Sequence, residues 1–231
     1  MLRQHYITVE RGGSKSDGAG RGGRNSHSPV AQIVHILLLY VVMGEDIAVA
    51  TWTVRLLSEL DAADERAGAL TKGLSAEQLN WRPAPDSWSV GQCLDHLRVM
   101  NDVYLPPMAQ ALEGKPKGAA EEITPGWFGR FFLKKVVEPS PESVRAKAPK
   151  KIAPASKVDG SVVERLLAGN QNARKLIERA SHYDINRIRF KNPFIPVIRF
   201  TVGTGLLIVV RHEHRHLLQA ERVKEAEGFP R

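Results

Sequence analysis

A chain of 231 residues that is 42% hydrophobic, with 33 Lys and Arg against 25 Asp and Glu for a net charge of +8, has the apolar content for one good core or two small ones. Its single cysteine, Cys93, excludes an internal disulfide framework. The positive balance sits in two stretches, residues 1–43 with five basic against two acidic side chains and residues 129–158 with eight against two; no aromatic–basic interleaving accompanies either, so nucleic acid is not expected as a partner.

Residues 1–45 are expected to be a disordered extension of the fold. "RGGSKSDGAGRGGRNSHSP" is Gly-, Ser- and Arg-rich and cannot bury enough surface to order itself. The apolar run that follows, "VAQIVHILLLYVVM", is too short to span a bilayer. It fits the core of a signal peptide with Ala48-Val49-Ala50 as cleavage site, although Glu45 and Asp46 intervene. It also fits a peripheral hydrophobic anchor, or a reading frame extended upstream of a true start at Met43. The third reading is preferred, and with it a cytoplasmic protein without a membrane partner; the other two imply export or anchoring.

From residue 46 the pattern is helical, and the folded domain is expected over 46–231. Val49, Trp52, Leu56, Leu60, Ala63, Ala67 and Leu70 recur at spacings of three and four, one stripe of a long helix that Gly73 ends. Pro83 and Pro85 then enforce an extended connection. Ser89 with Gln92 three positions later reads as a capping box, and the second helix runs from Ser89 to Glu113 with Gly114 as its stop. Pro106 and Pro107 predict a kink or an early end within it. Residues 114–158 carry no sustained period apart from "GWFGRFFLKKVV", a short amphipathic turn; a connection of this length is functional or a crossover. Asp159 and Ser161 are cap candidates for a third helix, with Val163, Leu166, Asn170, Ala173, Ile177 and Ala180 on its stripe. After "RIRFKNPFIPVIRF", where Pro193 and Pro196 break the helical pattern, a fourth helix runs from Thr201 to Glu227 and ends at Gly228. The fold class predicted is all-α, a four-helix bundle with a long crossover between helices 2 and 3.

The fourth helix carries "RHEHRH". His212 and His216, four apart, share a face, and it is the apolar one, continued by Val209, Ala220 and Val223. His214 points to the opposite side. An inward pair of imidazoles at this spacing suits a metal ion. His96, on the stripe of the second helix with Cys93, Met100 and Val103, is the histidine that can join them. Cys93 is itself a further candidate thiol ligand. The string also matches the zinc-protease pattern, which needs Glu213 as general base and a third ligand downstream. Only fifteen residues follow His216, and none is histidine. Glu221, Glu225 and Glu227 recede along the same helix, so the protease reading is disfavoured.

The block "NWRPAPDSWSVGQCLDHL", the long connection and the closing "HEHRHLLQAERV" together resemble the DinB-like superfamily over residues 48–228. The resemblance implies a four-helix bundle holding a divalent metal ion (Zn, Ni or Fe) through His96, His212 and His216. Gln92, Glu213 and Gln219 are candidates to hydrogen-bond those ligands. Relatives include thiol-dependent transferases, among them bacillithiol S-transferases, and the metal domain of mycothiol-dependent maleylpyruvate isomerase. Three neutral imidazoles leave the ion its full charge and an open position, suited to activating a thiol or water. The expected function is metal-dependent thiol transfer or hydrolysis on a small-molecule substrate that includes a low-molecular-weight thiol, by a homodimer. The alternative is a metal-stabilised binding or stress-response protein without turnover, and no catalytic residue is assigned.

Overall fold

The computed structural model describes residues 50–138, 148–195 and 197–231. The expectations for residues 1–49, for 139–147 within the basic stretch and for Pro196 lie outside them. Helix α1 (Thr51–Thr71) buries Trp52, Leu56, Leu60, Ala63, Ala67 and Leu70, the stripe read from the spacing. It stops before Gly73, whose φ of 76° suits a residue without a Cβ. A short helix α2 (Ala76–Asn80) follows, opened by a capping box between Ser75 and Gln78. The sequence reading contained no such helix, although Ser75 and Gln78 have the box spacing.

Helix α3 (Val90–Ala111) begins at the expected capping box of Ser89 and Gln92 and continues through Pro106 and Pro107. The predicted early end is absent. The carbonyls left unpaired by the two prolines belong to exposed Asp102 and half-buried Val103, which water can satisfy. "WFGRFF" forms α4 (Trp127–Phe132), continued by a π turn at Leu133–Val137 and, farther on, a 3-10 turn at Lys150–Ile152. Helix α5 (Val162–Ala180) lacks a side-chain cap at Ser161. Asp159 instead accepts from the Ser161 backbone N–H and hydroxyl.

"RIRFKNPFIPVIRF" is a two-stranded antiparallel ribbon, β1 (Arg189–Lys191) with β2 (Arg199–Thr201), pairing Phe190 with Phe200. The all-helical reading omitted it, since three-residue strands are too short to show a period of two. Helix α6 (Val202–Lys224) is capped by Thr201, and Gly228 lies beyond its end with a φ of 81°.

The four long helices form the expected bundle. α3 packs on α5 and α6, and α1 packs on the same two, so α1 and α3 occupy one diagonal. Met108 lies against Gly205 while His96 meets His212 and His216, so α3 and α6 run antiparallel. The core falls into two apolar clusters. One contains Trp52, Leu60, Met100, Met108, Ala173 and Val210; the other contains Ala67, Cys93, Leu97, Leu166 and Leu217.

Between them each long helix contributes one polar side chain at a core position: Asp64, Asn101, Asn170 and Glu213. Asn101 Nδ2 donates to Asn170 Oδ1 at 2.7 Å, and Asn170 Nδ2 donates to Asp64 Oδ1 at 2.6 Å and Glu213 Oε2 at 3.0 Å. Arg174 Nη2 donates to Asp64 Oδ2 at 2.7 Å and closes the layer. Glu213 is fully enclosed and its Oε1 has no partner. Burial, then the charge of Asp64, pushes its carboxyl up to about 8, against the nearby amides of Asn101 and Asn170 and the charge of Arg174.

Two predictions follow from this packing. A Cβ at Gly205 would collide with Met108 Sδ and lie 2.7 Å from Phe190 Cε1, so Gly205→Ala is expected to lower stability by about 1–3 kcal/mol in urea denaturation. Because Glu213 holds its proton more tightly folded than unfolded, its contribution to stability is complete below its unfolded value of 4.5 and is lost as pH rises through about 8. Glu213→Gln should therefore flatten the pH dependence of the thermal midpoint between those values, measured on full-length protein.

Candidate metal centre

The three histidines expected from the sequence meet. His96 projects from α3, His212 and His216 from α6, and one ring nitrogen from each lies within 4.8 Å of the other two. Ring centroids are 4.6 Å apart for His96 and His216, 5.1 Å for His96 and His212, and 4.5 Å for His212 and His216. Three nitrogens around a tetrahedral ion stand about 3.3 Å apart, so small side-chain adjustments suffice.

Protonation is set by neighbours outside the trio. His96 Nδ1 donates to the carbonyl of Ile152 at 2.6 Å, which leaves its Nε2 a bare lone pair. His216 Nδ1 donates to Gln219 Oε1 at 2.9 Å, with the same result. His96 Nε2 faces His212 Nε2 at 2.9 Å. Two lone pairs at that distance repel unless a proton or a cation lies between them. His212 Nδ1 is buried without a partner. Burial lowers all three basicities: His96 falls despite its bond to Ile152, His216 falls to about 3, and His212 falls well below its usual range, with the charges of His216, His96 and Arg215 adding. Neutral imidazoles with converging lone pairs, two buried and that of His212 half-buried, are the donor set a divalent cation requires.

The surroundings differ in part from the sequence reading. Gln219 touches a histidine, whereas Gln92 and Glu213 do not hydrogen-bond the trio. Gln92 Oε1 accepts from the Ser89 N–H at 3.1 Å, and its Nε2 donates to the carbonyl of Ala155 at 3.1 Å. Glu213 lies about 100° around the helix from His212 and faces the polar layer. Cys93 is wholly buried in the second apolar cluster, where burial pushes its thiol up; it stands outside the trio of ligand atoms. His214 is exposed beside Arg66, and His182 is exposed.

Sequence reasoning missed two contributors. Trp88, half-buried just before α3, packs its ring 4.7 Å from His96 and 5.5 Å from His216. The crossover supplies the other, since Ile152 positions His96 through its carbonyl. That segment is pinned by Asp95 Oδ2, which accepts from the Ala155 N–H at 2.8 Å, by Gln92, and by Asn80, whose Oδ1 accepts from the Val158 N–H at 2.8 Å. A backbone carbonyl leaves no residue-type signal, but the aromatic at Trp88 and the acid at Asp95, both close to His96 in sequence, were there to be read.

Comparison with known proteins agrees with this architecture. The chain is similar to an uncharacterized protein of Bacillus subtilis (strain 168), YuaE, at 26% identity over 156 residues, which is 67% of this chain and 88% of that protein. No solved structure gives a significant match. A family model described as the DinB superfamily matches residues 59–220, a span that takes in His96, His212, His216 and most of the bundle around them. By that match the chain belongs to the DinB superfamily.

Proposed function

We propose that this protein is a metal-dependent enzyme that activates a thiol nucleophile for transfer to a small electrophilic acceptor. The observation that carries the reading is the convergence of three neutral imidazoles, two buried and one half-buried, of which His96 and His216 have their Nδ1 protons committed elsewhere. A divalent ion held by His96, His212 and His216 would retain its full charge and lower the pKa of a thiol or water brought to it.

The residues around the centre favour a thiol over water. Among the described residues no carboxylate hydrogen-bonds the three histidines: Asp95 is engaged by Arg98 Nε at 2.9 Å and by the Ala155 N–H, and Glu213 faces the polar layer. Water then lacks a general base, while a thiol, with its lower intrinsic pKa, needs less help to ionise. The same placement speaks against the protease reading, since Glu213 is 1% exposed and bonded to Asn170 in the polar layer. Trp88 walls one side of the centre and limits access of water to it. No helix among the described residues is long and apolar enough to cross a membrane.

Elemental analysis tests the centre. Full-length protein is expected to hold one equivalent of Zn, Ni or Fe, and His96→Ala to lose most of it while keeping its helical circular dichroism. An undiminished content in the variant refutes the three-histidine site. Turnover with a panel of low-molecular-weight thiols and electrophiles tests the activity; metal-loaded protein inert to all of them would establish the non-catalytic binding alternative in its place.

A further inference from the structure

We infer that Arg215 forms an anion subsite beside the three histidines and holds a carboxylate of the molecule whose nucleophile is activated there. This deepens the reading just given and rests on it. Arg215 lies on α6 between His212 and His216, half-buried. Its Nη1 donates to the carbonyls of Val136 and Glu138, each at 3.2 Å, so the end of the π turn fixes the guanidinium. Among the described residues Nε and Nη2 find no hydrogen-bond partner, and neither is a buried orphan, so both are open to a ligand. Together they present the side-on fork that matches the two oxygens of a carboxylate.

Among the described residues no carboxylate fills that fork. The Glu138 carboxylate is taken by Arg211, Asp95 by Arg98, and Glu213 by the polar layer. Three residues after His212 and one before His216, Arg215 starts from the same turn of α6 as both ligands, and its positive charge lowers the basicity of each. Three neutral ligands contribute no negative charge. A divalent ion and an unpaired guanidinium would therefore stand together in a half-buried space, an arrangement that favours a ligand with two negative groups. One would be the activated nucleophile; the second is the carboxylate assigned to Arg215.

The test uses full-length protein loaded with cobalt(II), whose visible and near-ultraviolet spectrum reports thiolate binding, with metal content measured first. Wild type is expected to bind 3-mercaptopropionate at least ~10-fold more tightly than its uncharged isostere 3-mercaptopropionamide. Arg215→Gln should abolish that preference while retaining cobalt, and Arg215→Lys, which keeps charge without the fork, should retain only part of it. Equal affinities in wild type, or an undiminished preference in Arg215→Gln, overturn the subsite. Should Arg215→Gln fail to fold, an undiminished preference in Arg215→Lys does so. If neither thiol perturbs the cobalt spectrum, the thiol reading falls on its own. Calorimetry with succinate against succinamate then decides Arg215: a preference for the dianion that Arg215→Gln removes sustains the subsite, and its absence overturns it. Wild type that holds no cobalt removes the centre and the subsite together.

Discussion

The polar layer of Asp64, Asn101, Asn170 and Glu213 is the constraint on which the rest of the bundle depends. Apolar stripes pack in more than one register at similar free energy, because methyl groups do not distinguish one turn from the next. Buried amides and carboxylates do, since a slipped register would leave Asn170 facing leucines and forfeit about 1–3 kcal/mol for each stranded group. By tying one position on each helix to the others, the layer fixes how far α3 is displaced along α6. His96, five residues before Asn101, is thereby brought level with the two histidines that flank Glu213.

The alternation of Glu213 with its neighbours gives one short stretch of helix two duties. His212 and His216 turn to α3 and the crossover, while Glu213 turns into the layer between α3 and α5. A carboxylate on the histidine side would reduce the net charge of the centre and offer a base for water. Its diversion into the polar layer would leave the centre strongly electropositive once loaded, with Arg215 adding to that field. Ligand chemistry at this site is governed by the sidedness of a helix, which the His-Glu-x-x-His string does not express.

The long helices were legible because their apolar residues keep three-and-four spacing, and the histidine trio because an inward pair at positions i and i+4 has few other uses. The second helix was also read with a kink or an early end at Pro106 and Pro107, and the early end is absent because Asp102 and Val103 lie where water reaches their carbonyls. The polar layer was legible in principle. Asn170 was placed on a core stripe and treated as part of it, and a polar residue at core spacing in each of four helices is itself a signal. The contribution of Ile152 was not legible, because any residue type supplies a carbonyl and only the folded path of the crossover brings this one to His96. The ribbon escaped because Phe190 and Phe200 acquire their meaning from packing on α4 and α3, through Phe128 and Tyr104, a tertiary effect that three-residue strands do not announce.

The Ile152 carbonyl has a thermodynamic consequence. It supplies no ligand atom, yet it selects the tautomer in which His96 Nε2 carries a lone pair. Whatever loosens the 150–158 segment from Asn80, Gln92 and Asp95 releases that selection. Free-energy coupling is reciprocal, so an ion that favours this tautomer also favours the docked crossover, by the same amount. Residues 150–158 would thus report occupancy: a stretch of chain that offers no ligand atom would dock more firmly with the ion bound.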